Sequence, residues 1–538
     1  MYDVLIKNGK IIDGTGSPWF RADLAIRDGK TAEMGHIKGG ADEVIDADDL
    51  TVSPGWVDFH SHSDWSLLRY PFADSDLVQG ATLVVTGNCG SSAAPIIGHS
   101  AERAKARARD LEVEVDWSTF DEYLKRLEKQ GVSMNVACLV GHGTIRSCVM
   151  GEKERPANEE ELDEMKKLVG EAMRAGAFGM STGLVFPPGC WSDTHELIEL
   201  SKVVAKYDGI YASHIRGERE TNIEATKELI EIGAKAGVRV HRSHMQSKHP
   251  VYGNAAEVLK LMEEARRQGV DVACDTEAFP WIGFNAVAQL PPWPRARLSH
   301  DFLDMLKDPE TRAKLKNEMR QMDPYDALGR TGQGGIYQTR AWDRAWIYEC
   351  SSDPSLEGKK ISEIAIERGL DPEDVLFDLI AAEHGKGPKL VVAYIEDDHK
   401  ITAPNRLCIF PSTDGSVVDT ARVPPRYFQY SPEWLGMFPR VLSRYVKEEG
   451  LMTAEEAIRR MTSFACQRLR IFDRGIIRVG TCADLTIFNL EAIQVRGDFG
   501  NPQQRPEGIE HVLVNGQLAV KNGEYAKIQA GTVLRHRA

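Results

Sequence analysis

Pro54-Gly-Trp-Val-Asp-Phe-His-Ser-His-Ser-Asp64 is the stretch on which the fold turns. Val57 to His62 reads as a β-strand. Its period of two puts Asp58, His60 and His62 on one face and Val57 and Phe59 on the other. Two imidazoles two residues apart at a strand end can both reach one metal ion. Alone, a His-x-His pair in a chain of this size is more often coincidence than a ligand set. Its meaning depends on what else reaches the same place.

The chain has 538 residues, of which 42% are hydrophobic and 27% charged, an ordinary globular composition with ample material for a core. The net charge of −14 repels a polyanion, and no basic stripe offsets it, so nucleic acid is not an expected partner. Nine cysteines without a repeating spacing argue against a disulfide framework and for a reducing compartment. Met1 to Lys10 reads as a strand entering a turn at Asn8-Gly9, not as a secretory leader. No apolar run has the length of a membrane span. A cytoplasmic protein with no membrane partner is expected.

Outward from the opening stretch, the pattern has two regimes. Residues 1–53 carry short strands and Asn-Gly or Asp-Gly turns, at Tyr2 to Ile6, Ile11 to Ile12, Asp23 to Arg27 and Glu43 to Asp46. From residue 54, short apolar strands alternate with amphipathic helices such as Glu159 to Ala175, Thr221 to Ala236 and Ala255 to Gln268. The strands are expected at Trp56 to His60, Thr82 to Thr86, Asn135 to Val140, Ala177 to Ser181, Gly209 to Ser213, Val238 to Ser243, Val270 to Asp275 and Leu407 to Ser412. That count favours a (β/α)₈ TIM-like barrel over a doubly wound open sheet, which shows the same alternation.

The gap from Thr276 to Arg406 spans about 130 residues, where a crossover needs roughly 30. It predicts an insertion at about 283–350 over the barrel mouth, as a lid or an edge decoration. From about 480 the strand pattern returns, at Ala483 to Phe488 and Ile509 to Val514. Residues 1–53 and 480–538 are expected to form one small β-sandwich module beside a barrel of residues 54–479.

In such a barrel the chemistry sits at the carboxyl ends of the strands. Those ends carry His60, His62, Cys89, His214, His244 and Asp414, the donor types that hold zinc. Each alone has a plainer reading. Cys89 could be a small buried apolar residue, His214 or His244 a satisfied rim histidine, and Asp414 before Gly415 a turn former. Six on one rim are not independent accidents if the barrel holds. His142, in Gly-His-Gly, reads as a supporting or structural residue. His241 falls on the face opposite His244 and is set aside.

Several stretches follow one family's order over nearly the whole chain. They are Pro54 to His62, Gly87-Asn-Cys-Gly90, Leu139-Val-Gly-His-Gly-Thr144, Ser181 to Gly189, Ser213-His-Ile-Arg-Gly-Glu218, Ser243-His244, Thr413-Asp-Gly415, Phe438-Pro-Arg-Val-Leu442 and Gly480 to Phe488. On these the sequence resembles the amidohydrolase superfamily, and within it the D-aminoacylase (N-acyl-D-amino-acid deacylase) family. The resemblance implies a zinc-dependent hydrolase of amide bonds acting on a small acylated substrate, most simply an N-acyl-D-amino acid. It implies one tightly held Zn²⁺ on Cys89, His214 and His244. A second, weaker site would use His60, His62 and Asp414, with Cys89 as a bridge. Strand four, Phe178 to Gly183, has no lysine, which argues against the branches bridged by a carboxylated lysine. Asp414 would take a proton from water and pass it to the leaving nitrogen.

The chain also departs from the pattern. Gln246 stands where the family has lysine, with Lys248 two residues on, and Phe279-Pro280-Trp281 replaces Tyr-Pro-Tyr. Pro424-Pro425-Arg426 replaces His-Pro-Arg and keeps only Arg426, a candidate partner for a substrate carboxylate. Arg426, Lys248 and Trp281 are therefore the candidate substrate contacts, with Phe284 and Trp293 as further aromatic candidates. An aromatic pocket leaves open another amide, urea, carbamate or lactone substrate. A non-catalytic scaffold relative would have eroded ligands, and all six are present. A homo-oligomer is compatible with the sequence.

Overall fold

The computed structural model describes residues 1–218, 221–245, 254–279, 281–295, 300–321, 342–384, 387–393, 397–420, 433–497 and 504–537. Eight parallel strands follow one another in chain order: Trp56–Asp58, Ala81–Thr86, Asn135–Cys138 continued by Val140–Gly141, Gly179–Gly183, Ile210–His214, Arg239–Arg242, Val272–Asp275 and Cys408–Ile409. The ring closes between the eighth and the first. Asp414 N donates to His60 O at 2.9 Å, His62 N donates to Gly415 O at 2.6 Å, and Ser61 bridges Gly415 in parallel. The chain therefore forms a (β/α)₈ barrel.

Period two explains its layers. Val57, Leu83, Val85, Ala137, Ile210, Ala212 and Ile409 form an interior cluster, while Val84, Val136, Tyr211, Val240, Val272 and Cys408 join the larger core beneath the helices. The helices start on strong local signals. Thr119 with Glu122 and Asn158 with Glu161 are capping boxes at Phe120–Gln130 and Glu159–Ala175, and Gly176 and Gly237 close two helices in left-handed conformation.

The opening stretch is shorter as a strand than its alternation predicts. The strand ends at Asp58, and the chain bends at His60. Val57 and Phe59 share the interior cluster, yet the His60 ring also turns inward to Asp275 on the seventh strand. The bend, not a continuous pleat, aims it.

Both termini contribute to one nine-stranded sheet. Thr51–Pro54 pairs in parallel with Tyr2–Ile11 on one side and antiparallel with Leu485–Phe488 on the other. Asn8-Gly9 is not a turn. Asn8 takes φ +62° inside the ten-residue strand Tyr2–Ile11, where the register shifts between Ile6 and Gly9, so the pair makes a bulge.

The segment after the seventh strand has its own antiparallel sheet of Trp281–Asn285, Ala345–Glu349 and Lys389–Ala393. It also has a separate core that includes Leu290, Phe302, Trp342, Ile347, Ile361 and Phe377. This unit extends past the expected 283–350, because its third strand comes after the helices Ile361–Arg368 and Pro372–Ala382. Among the described residues no helix is long and apolar enough to cross a membrane.

Candidate metal centre

Cys89 sits in a tight connection after the second strand, with Gly87, Cys89 and Gly90 at φ +81°, +48° and +74°. Glycine is needed on both sides. A Cβ on Gly87 would run into Leu139 O, and one on Gly90 would lie 2.6 Å from Gly183 N. Asn88 fixes the turn by donating to Val85 O at 3.0 Å. His244 and Asp414 are also left-handed, at φ +33° and +49°. Three non-glycine residues in this region, all facing one point, mark a place where side-chain aim outweighs backbone comfort.

Around the Cys89 Sγ lie His60 Nε2 at 3.3 Å, His244 Nε2 at 3.4 Å and His214 Nδ1 at 3.7 Å. Asp414 Oδ1 is 3.2 Å from His60 Nε2 and 3.0 Å from His62 Nε2. Donor atoms of His60, Cys89, His244 and Asp414 all lie within 4.8 Å of one another. Tetrahedral zinc, with Zn–S about 2.3 Å and Zn–N about 2.0–2.1 Å, sets its donors about 3.3–3.6 Å apart. The sulfur–nitrogen distances fall around that range, so the donor set fits zinc. Further out, His62 is about a third exposed and touches Asp414.

The charge balance points the same way. Burial alone would keep the Cys89 thiol protonated, but His60, His244 and His214 outweigh it and hold the group well below the usual thiol range. Burial likewise opposes ionisation of Asp414, and His60 and His62 overcome it. In turn burial depresses His60 and His244, but the anions around them push both well up. A field that draws protons onto imidazoles also draws a divalent cation, so the two compete for the same nitrogens.

Two buried carboxylates stand behind the rings. Glu218 Oε1 accepts from His244 Nδ1 at 2.8 Å, and Asp275 Oδ2 lies 3.6 Å from His60 Nδ1. Asp275 also accepts from His241 Nε2 at 2.9 Å, from His244 N at 2.9 Å and from Ser412 Oγ at 2.6 Å. His241, set aside from the sequence, thus supports the carboxylate behind His60 and packs on Phe59 at 4.5 Å. Neither Glu218 nor Asp275 was singled out from sequence. The available signals were Glu218 closing the Ser213 to Glu218 stretch and Asp275 ending a barrel strand.

His142 lies elsewhere and bonds Glu196 Oε1 at 2.7 Å. Phe279 is buried beneath Arg440, whose guanidinium lies 4.5 Å from the ring centre, so it is a packing residue. Trp293 donates to Glu318 Oε2 at 2.6 Å within the inserted unit. Gln246, Lys248, Pro424, Pro425, Arg426 and the side chains of Trp281 and Phe284 fall outside the described residues.

A profile of the amidohydrolase family matches residues 43–278. D-aminoacylase of Alcaligenes xylosoxydans xylosoxydans is 31% identical over 100% of this chain and 98% of its own length. N-acyl-D-glutamate deacylase of the same organism is 30% identical over 96% and 93%. Among solved structures, D-aminoacylase superposes with TM-score 0.79 at 27% identity, covering 99% of this chain and 100% of that one. The N-acyl-D-glutamate deacylase of Bordetella bronchiseptica, solved with zinc and a phosphonate inhibitor that mimics the tetrahedral intermediate, superposes with TM-score 0.79 at 29% identity over 99% of each chain. D-hydantoinase, at 16% identity and TM-score 0.57, shares the fold. With relatives that match from end to end, the chain belongs to the D-aminoacylase family of amidohydrolases.

Proposed function

We propose that the protein is a zinc-dependent amidohydrolase that releases the acyl group from N-acyl-D-amino acids. The observation that carries this reading is the convergence of a thiolate and three imidazoles beside the ionised Asp414. End-to-end relatives that are D-aminoacylase and N-acyl-D-glutamate deacylase support the substrate class. Cys89, His214 and His244 would hold the tighter zinc, and His60, His62 and Asp414, sharing Cys89, a weaker second ion.

Zinc bound here supplies a Lewis acid that polarises the amide carbonyl and lowers the pKa of water towards about 7. The chain's own groups do the rest. Asp414, ionised and held by His60 and His62, accepts the proton of the attacking water. It then delivers that proton to the amide nitrogen, without which the amine does not leave. Arg426 is proposed to pair with the substrate carboxylate. The nine free cysteines support a reducing, cytoplasmic setting.

The test is hydrolysis by purified, zinc-loaded protein of matched N-acetyl D- and L-amino acids, with apolar and acidic side chains. Turnover confined to the D series is the expected result. Zinc-loaded protein inactive on both series would refute the substrate, and full zinc content in Cys89→Ala would refute the ligand assignment.

A further inference from the structure

The two histidines proposed to hold zinc with Cys89 present opposite ring nitrogens to the thiolate, His214 through Nδ1 and His244 through Nε2. Their rings meet edge to face, with centroids 4.3 Å apart at 73°. The rear nitrogens are then His214 Nε2 and His244 Nδ1, and both turn to one residue. Glu218 Oε1 is hydrogen-bonded to His244 Nδ1 at 2.8 Å, whereas Glu218 Oε2 lies 3.5 Å from His214 Nε2, a charge contact without a hydrogen bond. The Glu218 side chain is only 4% exposed, as buried as the rings it faces.

A neutral imidazole has one N–H and one lone pair, and a carboxylate can only accept. Whichever ring nitrogen faces Glu218 is therefore favoured as the protonated one, and the lone pair is directed to the Cys89 side. One carboxylate in this position fixes the His244 tautomer through a hydrogen bond and favours the opposite tautomer of His214 through its charge. It also adds negative charge behind both, which raises their basicity as ligands.

We infer that Glu218 is a positioning residue that sets the tautomers of His214 and His244 together, and so sets the zinc affinity of the centre. The inference rests on reading Cys89, His214 and His244 as zinc ligands. Neutral glutamine cannot reproduce the device, because its amide oxygen can accept from His244 but carries no charge to favour the His214 proton.

The experiment is zinc affinity by competition with a chromophoric chelator, on full-length wild type, Glu218→Gln and Glu218→Asp, with thermal melting of each apo protein. Glu218→Gln is expected to bind zinc about 10–100-fold more weakly, while its apo protein, though less stable, still melts in one cooperative transition. Excess zinc should restore most of kcat with KM unaltered. Glu218→Asp keeps the charge but not the reach to both rings, and should fall between. If Glu218→Gln does not fold, Glu218→Asp decides alone. Wild-type zinc affinity in the folded variant overturns the inference and leaves the zinc reading intact. Wild-type protein that holds no zinc overturns both.

Discussion

Asp414 shows how much one residue carries here. It sits at φ +49° between Thr413 and Gly415, a conformation that costs most side chains energy and that Asp and Asn tolerate best. Asparagine is therefore the informative replacement, since alanine would mix backbone strain with loss of the carboxylate. Asp414→Asn should keep the backbone turn and the zinc bound by Cys89, His214 and His244, while kcat falls about 10²–10⁴-fold, the usual worth of a general base. Zinc content with single-turnover kinetics checks this, and near-normal rates would remove Asp414 from the chemistry. At this scale much of the site was readable, because His214 ends a barrel strand and His60, Cys89, His244 and Asp414 each follow one. Their supports were not. Glu218 and Asp275 matter because they stand behind a ring, and that relation exists only after folding. His241 misled for a related reason. Period two put it opposite His244, but the chain kinks at His244, φ +33°, so the two residues do not follow a regular pleat.

Between elements, two buried contacts hold the rim together. Asp58, fully buried at the end of the first strand, accepts from Thr413 N at 3.0 Å and from Thr413 Oγ1 at 2.6 Å, joining the first strand to the turn that carries Asp414. Asp58→Ala would leave Thr413 N unpaired and Thr413 Oγ1 with only the long 3.5 Å contact to His60 O, at about 1–3 kcal/mol for each bond lost. It should lower the unfolding midpoint and kcat together, while Asp58→Asn, which keeps an acceptor, should lose less of both. Unchanged kcat in Asp58→Ala would mean that the Asp414 turn holds itself. The second contact joins the helices His142–Met150 and Thr194–Ala205. Glu196 accepts from His142 Nε2 at 2.7 Å and Arg146 Nη1 at 2.5 Å, all buried. Burial opposes its ionisation, but His142 and Arg146 outweigh it and bring the carboxyl from 4.5 down to about 2. A depressed folded pKa stabilises above the unfolded value, and that stability is lost as pH falls through the folded one. This contribution should therefore be present above pH about 4.5 and fade towards pH about 2. Glu196→Gln should flatten that part of the melting-point profile, and a profile as steep as wild type would assign acid loss elsewhere. Eight strands were legible as elements because buried parallel strands read as short apolar runs. The inserted unit was not bounded correctly, since its third strand, Lys389–Ala393, lies beyond two helices and nothing local ties it to Trp281–Asn285.

The whole molecule depends on how its two terminal segments are fastened to the barrel. The sheet joins Thr51–Pro54 to Leu485–Phe488, a pairing across more than four hundred residues that the alternating patterns at both ends suggested but could not register. Asp484, only 5% exposed, lies at that junction. Its Oδ1 accepts from Asn515 N of the module at 2.7 Å, and its Oδ2 from Asn135 Nδ2 of the third barrel strand at 3.1 Å. The same Oδ2 pairs with Arg474, itself only 8% exposed. Asn515 Nδ2 in turn reaches Asn135 Oδ1 at 2.9 Å, so module and barrel share one closed polar network. Such a network is costly to break on one side. Asp484→Ala would strand a buried guanidinium, at about 3–5 kcal/mol, because desolvation is not recovered when the partner is lost. The metal centre stands at the carboxyl ends of the strands, whereas Asn135 begins the third strand at the opposite end. The variant should therefore melt well below wild type, while its folded fraction keeps wild-type zinc content and kcat. Replacing Arg474 by methionine as well should recover part of the loss, since the double variant no longer buries an unpaired charge. Equal melting of Asp484→Ala and wild type would mean that apolar contact alone docks the module.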